Sequence, residues 1–313
     1  MNMMRGHKSA LKTLGMLALA AGLSGCFDMP PPGDSHYNKG VDLYDDEKYA
    51  DAIDEYKLEL RHNPGNQFAR YNLAVAHQDL RHDDEAEKLY RKILETTEDT
   101  ESRINLSTIY FSRGQEEAAF SELKLAARHN TDSPKPLSVL GEFQERKGLL
   151  DAAEKNYHAA LRIDDQHAIT HYRLGRLYLA RGETGRAISS LNTAIGLDPE
   201  AAMYYETQGE AYIKNGSDSQ AINMLEQASA LKPDNVELYV QLGGLYEGVA
   251  DYKNAVKNYW EAVAACQAKP GCADDPAVHR DLEKIHLILA RQAKEKQATL
   301  GQGRAVASSG NQP

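Results

Sequence analysis

The sequence lacks most of what builds a chemical site. Its 313 residues hold 3 cysteines and 1 tryptophan, and no Cys-x-x-Cys occurs, which removes the usual dithiol redox motif. No Gly-x-Ser-x-Gly elbow, phosphate-cradling glycine loop or dinucleotide fingerprint is present. Positive charge is in deficit, with 36 Lys+Arg against 46 Asp+Glu, and no basic block offsets it. A nucleic-acid partner is therefore not expected, because binding phosphates requires cations that release counterions. With 23 glycines and 11 prolines the chain is neither collagen-like nor a linker protein. A mean hydropathy of -0.59 excludes a multi-span membrane protein. Length alone suggests two domains, but that prior fails for internally repeated chains, so periodicity decides.

What is present begins with an export signal. Arg5, Lys8 and Lys12 precede an apolar stretch from Leu14 to Leu23, and Ser24-Gly25-Cys26 follows. The apolar run is about half the roughly 20 residues that span a bilayer, so it reads as a cleavable secretory signal. Leu23-Ser24-Gly25-Cys26 resembles the lipobox of bacterial lipoproteins, which implies lipidation of Cys26; an ordinary secreted protein with an incidental Cys26 is the alternative. Removing residues 1–25 takes away three basic residues and no acid, so the net charge moves from -10 to -13. Phe27 stands where lipoprotein sorting rules place an inner-membrane aspartate, with Asp28 one position later; the expected address is the outer membrane, facing the periplasm. Residues 26–35 carry Pro30, Pro31 and Pro32 and form a short tether.

Residues 36–269 repeat themselves seven times. Small residues stand at Gly40, Ala74, Ser107, Gly141, Gly175, Gly209 and Gly243, with spacings of 34, 33, 34, 34, 34 and 34. An alanine follows twelve residues later in every cycle, from Ala52 to Ala255. Four residues beyond it comes a bulky partner: Tyr56, Tyr90, Leu123, Tyr157, Leu191, Leu225 or Tyr259. Close crossing of two antiparallel helices demands small residues at the contact and large ones around it. Gly114, Gly148, Gly182 and Gly216 fall at the bend between the two helices, where a left-handed cap is needed; Glu47, Arg81 and Ala250 replace them in other cycles. Pro64, Pro199 and Pro233 close second helices. The second cycle is one residue short, so an irregularity in pitch is expected near residues 95–102.

This pattern resembles the tetratricopeptide repeat. The resemblance implies an all-α fold, an α-solenoid in which helix-turn-helix hairpins form a right-handed superhelix. Asp275-Pro276 opens a final helix over residues 275–300, and Val278, Leu282, Ile285 and Leu289 give it the apolar stripe of a capping helix. Residues 301–313 are expected to be a disordered tail. In proteins of this kind the first helices line a concave surface that commonly binds peptides. Counting each cycle from its start places Asn38, Asn72 and Asn105 at one position, with Tyr37 and Tyr71 before the first two and Val41 and Val75 extending the strip. Such a strip either pairs with a peptide backbone or is simply tolerated on an exposed face. Arg173 and Arg176 lie on the same face and could clamp a carboxylate. The full Lys/Asn carboxylate clamp of chaperone-tail receptors is not reproduced.

Three further clusters complete the reading. Cys266 and Cys272 are an even pair for an oxidising compartment, forming a structural disulfide across Pro270-Gly271 or remaining as free thiols. His167 and His171 lie four apart without the glutamate of a zinc-protease motif, and His82-Asp83-Asp84-Glu85 reads as solvated charge at a bend; no metal site and no cofactor is expected. With the repeats filling the chain, no enzyme is expected. The expected role is a membrane-anchored adaptor that binds periplasmic or envelope proteins or peptides. It resembles lipoproteins that assist type IV pilus secretin assembly and those that bring peptidoglycan hydrolases to a protease. The alternative is a self-assembling structural or regulatory scaffold.

Overall fold

The computed structural model describes residues 35–267 together with 280, 283, 284, 287 and 288. The expected signal peptide, Cys26, Cys272, the stripe Val278, Leu282, Ile285 and Leu289, and the 301–313 tail lie outside the described residues.

Fourteen helices span the first stretch, and no strand occurs among the described residues. They are α1 (His36–Asp45), α2 (Tyr49–His62), α3 (Gln67–Asp79), α4 (Asp83–Leu94), α5 (Thr100–Ser112), α6 (Glu116–His129) and α7 (Lys135–Arg146), then α8 (Leu150–Ile163), α9 (Ala168–Ala180), α10 (Thr184–Leu197), α11 (Ala202–Lys214), α12 (Asp218–Leu231), α13 (Val236–Gly248) and α14 (Tyr252–Gln267). The fold is all-α, a succession of antiparallel hairpins. The chain forms two compact units, one ending at Phe143 and one beginning at Gln144, so the boundary falls within α7.

Local chemistry sets the helix starts. The side chains of Ser35, Asn66, Asp99 and Asn235 accept the backbone N–H of Asn38, Ala69, Ser102 and Glu237 at 2.7–3.2 Å, satisfying amides that have no partner within the helix. At the bends, Gly114, Gly148, Gly182 and Gly216 take φ of 71–76°, and Glu47, Arg81 and Ala250 take φ of 59–64° without the freedom of glycine.

The three coupled registers have one cause. A Cβ on Gly40 would stand 2.5 Å from the Tyr56 ring, and one on Gly243 2.5 Å from Tyr259. On Gly175 and Gly209 it would stand 2.6 and 2.8 Å from Leu191 and Leu225. The small residue of the first helix therefore lies directly on the bulky residue of the second. All seven alanines from Ala52 to Ala255 are fully buried, and so are their bulky partners. Each buried Leu or Tyr contributes about 1.5–3 kcal/mol relative to exposure. In the third hairpin Ser107 replaces glycine, and its hydroxyl donates to Ile104 O of its own helix at 2.6 Å.

Neighbouring hairpins are laced by polar side chains. In the unit ending at Phe143, Arg113 reaches back to Asp84 at 2.6 Å and Glu87 at 2.5 Å. In the other unit, Arg181 reaches Asp151 at 2.6 Å and Glu154 at 2.5 Å in the same register. Tyr178 donates to Glu154 at 3.0 Å, and Tyr246 to Glu226 at 2.6 Å. Burial pushes the Glu154 carboxyl up, but hydrogen bonds from Arg181, Tyr178 and Arg186 outweigh it and hold the group below the usual carboxylate range.

The short second cycle is accommodated locally. Helix α4 has 12 residues, against 14 in α2 and α6, and the Thr96 and Thr97 hydroxyls donate to Ile93 O at its end. At the C-terminal end, the described residues 280, 283, 284, 287 and 288 are helical. Ile288 is buried against Ala255 and Tyr259, and the Lys284 ammonium lies 5.2 Å from the Tyr259 ring. Cys266 is buried at the end of α14 and is disulfide-bonded.

Candidate functional site

The residues expected to bind a partner lie on the first helices, and each unit presents its own set. In the unit ending at Phe143, α1, α3 and α5 place Tyr37, Asn38, Tyr71, Asn72 and Asn105. Two of the three asparagines of the expected strip bond to tyrosines of the preceding hairpin. The Asn105 Nδ2 group donates to the hydroxyls of Tyr71 and Tyr90, both at 3.1 Å, and Tyr90 donates onward to Gln78 Oε1 at 2.9 Å. The Tyr71 and Tyr90 rings meet edge to face, with centroids 6.0 Å apart. Asn105 thus clasps its own hairpin to the tyrosine pair of the preceding one.

The same arrangement recurs one hairpin earlier in looser form. Asn72 is buried and its Nδ2 donates to the Tyr37 hydroxyl at 3.5 Å, with the Tyr37 and Tyr56 rings 6.2 Å apart. Among the described residues the buried Tyr56 hydroxyl makes no hydrogen bond of good geometry, in contrast to Tyr90, although Asn72 lies near enough to oppose the rise that burial gives its pKa. Burial, the dominant cause, pushes the Tyr37, Tyr71 and Tyr90 hydroxyls above the ordinary tyrosine value. All three are therefore neutral donors and acceptors at physiological pH.

Asn38 differs from the other two. Among the described residues its side chain makes no hydrogen bond, its backbone N–H donates to Ser35, and no described hairpin precedes it to supply a tyrosine pair. Apolar side chains on the first helices of this unit include Val41, Val75 and Phe111, which are half-buried, and Phe68, which is 49% exposed. Phe111 stacks on Phe143, with centroids 4.1 Å apart.

In the unit beginning at Gln144, the arginines expected to form a clamp have neighbours of their own. The Arg176 guanidinium is 3.4 Å from Glu145 Oε1 and 5.8 Å from the centre of the Tyr172 ring, while Tyr157 donates to the other Glu145 oxygen at 2.8 Å. Arg173 lies close enough to Tyr204 to lower its pKa slightly, but burial first and Asp198 next push that hydroxyl up to about 12.

A cavity of about 280 Å³ opens between α11 and α13, where Glu206, Glu210, Ile213, Glu237, Leu238 and Gln241 line it. Ile213 is 40% exposed. Lys232 and Lys214 neutralise Glu206 and Glu210 at 3.1 and 3.0 Å. A larger depression of about 890 Å³ runs along α8, but its described wall is a single helix and its Glu154 is already held by Arg181 and Arg186. The cavity between first helices has the better shape for a side chain of a partner.

The apolar members, Phe68 and Ile213, were not among the expected site residues. They occupy positions countable from the small contact residue, and a search for exposed aromatic or aliphatic residues at those positions would have found them. Among the other sequence candidates, His167 Nδ1 meets Thr170 Oγ1 at 2.6 Å, and His171 Nε2 meets Asp165 O at 2.8 Å, so the two rings bond to separate partners. No helix among the described residues is long and apolar enough to cross a membrane.

Comparison with known proteins agrees with this geometry. Residues 37–102 and 140–202 match the family described as tetratricopeptide repeat, and residues 209–248 match that described as TPR repeat, together more than half of the chain. No curated protein sequence matches. A tetratricopeptide repeat protein from Parabacteroides merdae matches with a TM-score of 0.53 at 18% identity, over 82% of this chain and 100% of that one. The C-terminal part of a TPR repeat-containing protein from Cytophaga hutchinsonii matches with a TM-score of 0.50 at 17% identity, over 76% and 98%. A human IFIT1 dimer with PPP-AAAA matches with a TM-score of 0.58 at 15% identity, over 84% and 64%. At these identities the likeness is one of fold.

Proposed function

Because the chain belongs to the tetratricopeptide-repeat proteins, we propose that it is a non-catalytic adaptor that binds envelope proteins or extended peptide segments along its first helices. In this reading Cys26 carries lipid, the mature chain faces the periplasm from the outer membrane, and the bound partner belongs to an envelope assembly such as a secretin or pilus. The support for the anchor is the run from Arg5 to Cys26, with its basic start, short apolar stretch and lipobox-like end.

The support for binding is a contrast within the structure. Most polar groups that looked ready for a ligand are engaged in bonds between hairpins, whereas large apolar side chains on the first helices stay open, Phe68 at 49% and Ile213 at 40% exposure. Apolar side chains held open on a rigid scaffold are what a partner's anchors need.

Photo-crosslinking in cells tests it. A photoreactive phenylalanine analogue at Phe68 or Ile213 is expected to capture a discrete envelope protein. The same probe at Trp260, exposed on a second helix, is expected to capture none. Equal capture from all three positions would remove the first-helix face as the docking surface. Labelled palmitate incorporation, lost in Cys26→Ser, checks the anchor separately.

A further inference from the structure

The second hairpin carries histidine at two positions where no other hairpin does. Three residues beyond the small contact residue, four other first helices carry Tyr110, Tyr178, Tyr212 and Tyr246, whereas α3 carries His77. At the residue before the second helix, the other hairpins have Lys48, Gln115, Leu149, Glu183, Ser217 and Asp251, whereas this one has His82.

The bend brings the two rings together. The His82 backbone N–H donates to His77 O at 2.8 Å, which fixes the main chain between them. The two Nδ1 atoms then lie 3.4 Å apart, with ring centroids separated by 5.6 Å and the planes tilted by 51°. Two neutral imidazoles at this distance share one proton, and a metal ion can take that proton's place. A tetrahedral ion with metal–nitrogen bonds of about 2.0–2.1 Å holds neighbouring ligand nitrogens about 3.3–3.4 Å apart. The observed separation matches that tetrahedral edge, and the shorter edge of about 3.0 Å around a square-planar or octahedral ion such as Ni²⁺ requires the rings to draw together.

The surroundings admit an ion. His77 is 8% exposed and His82 is at the surface, so the pair is reached from solvent on one side. Lys57 of α2 opposes a cation there, while Glu85 of α4 favours one. Asp83 and Asp84 add negative charge in the same first turn, Asp84 being held by Arg113. Among the described residues, no group of three or more His, Cys, Asp or Glu is placed to hold an ion, so this pair would offer two protein ligands and leave the other positions to solvent. That is an open, exchangeable site, unlike the closed four-ligand sites of structural zinc.

We infer that His77 and His82 form a two-imidazole site for a late first-row divalent ion such as Zn²⁺ or Ni²⁺, bridging the end of α3 to the start of α4. Imidazole nitrogens suit these ions, and the short chain between the ligands keeps the chelate pre-organised. The ion would brace the bend at Arg81, whose φ of 63° is held without glycine.

The test is calorimetric titration of the chelator-treated chain with Ni²⁺ and with Zn²⁺ at neutral pH, independent of any partner. Wild type is expected to bind a single ion at this site, and His82→Ala to weaken it roughly tenfold or more. His82 is exposed, so this variant keeps its fold; a His167→Ala/His171→Ala double variant is expected to bind as wild type does. X-ray absorption on the Ni²⁺-loaded chain is expected to show two imidazole ligands. Equal affinity and stoichiometry in wild type and His82→Ala, or a shell without two imidazoles, would overturn the assignment.

Discussion

Replacing Ala250 with glycine should stabilise the last described hairpin. Ala250 occupies the bend between α13 and α14 with φ of 59°, where Gly182 occupies the corresponding bend between α9 and α10 with φ of 76°. The hydrogen bonds at the two bends are the same. Ala250 N–H donates to Glu247 O at 3.0 Å and Asp251 N–H to Tyr246 O at 2.8 Å; Gly182 N–H donates to Leu179 O at 3.2 Å and Glu183 N–H to Tyr178 O at 2.8 Å. The Cβ is therefore the only difference that matters locally. A Cβ in the left-handed region costs about 1–2 kcal/mol. Glycine gives back roughly 0.5–1 kcal/mol of this through the extra freedom of the unfolded chain. Ala250 is exposed, so no burial is lost, and the net gain is about 0.5–1 kcal/mol. Gly182→Ala is the mirror experiment: the added Cβ meets no atom within 4 Å, so its cost is the backbone's alone and should have the same size with the opposite sign. Because repeat arrays unfold in segments, the assay is amide exchange resolved by helix. Exchange in α13 and α14 should slow about two- to fivefold in Ala250→Gly, since 1.4 kcal/mol corresponds to a factor of ten. An unchanged or faster rate there, with Gly182→Ala also silent, would refute the claim that these bends are strained.

Other consequences follow from the packing and the charges. Gly175→Ala puts a Cβ 2.6 Å from Leu191 Cγ and should cost about 1–3 kcal/mol in urea unfolding, with Leu191→Ala in the same chain recovering part of it. Asn105→Ala removes the bonds to Tyr71 and Tyr90 and should cost about 1–2 kcal/mol, whereas Asn38→Ala should leave the unfolding midpoint within about 0.5 kcal/mol of wild type. Burial, then Lys57 and His82, hold the His77 pKa below its ordinary value. As pH falls through about 6.5 the unfolded chain therefore takes a proton before the folded one, and stability drops across that window. Urea midpoints against pH should show this drop, and His77→Gln should flatten it; an unaltered slope in the variant would exclude His77 as its source.

The parts legible from sequence are those that a backbone contact imposes. Gly40 and Tyr56, or Gly175 and Leu191, must recur at one spacing because no other pairing lets the two helices approach, so counting residues was enough to find every hairpin. The bend positions were legible for the same reason, even where Glu47, Arg81 and Ala250 hide them. The polar face was not legible, because a recurring asparagine serves a ligand or a neighbouring hairpin equally well until its partner is named. The missing signal was a coincidence of offsets: Asn105 stands 34 residues after Tyr71 and 15 after Tyr90, so one amide reaches both hydroxyls at once. An amide with that double offset belongs to the scaffold, whereas Asn38 has no described hairpin before it to supply the two hydroxyls. The same logic applies to His82, whose acidic neighbours Asp83, Asp84 and Glu85 suggested only solvated charge. Its role depends on His77 five residues earlier, at a position where four of the other first helices carry tyrosine, and the pair becomes informative only once the bend brings the two rings together.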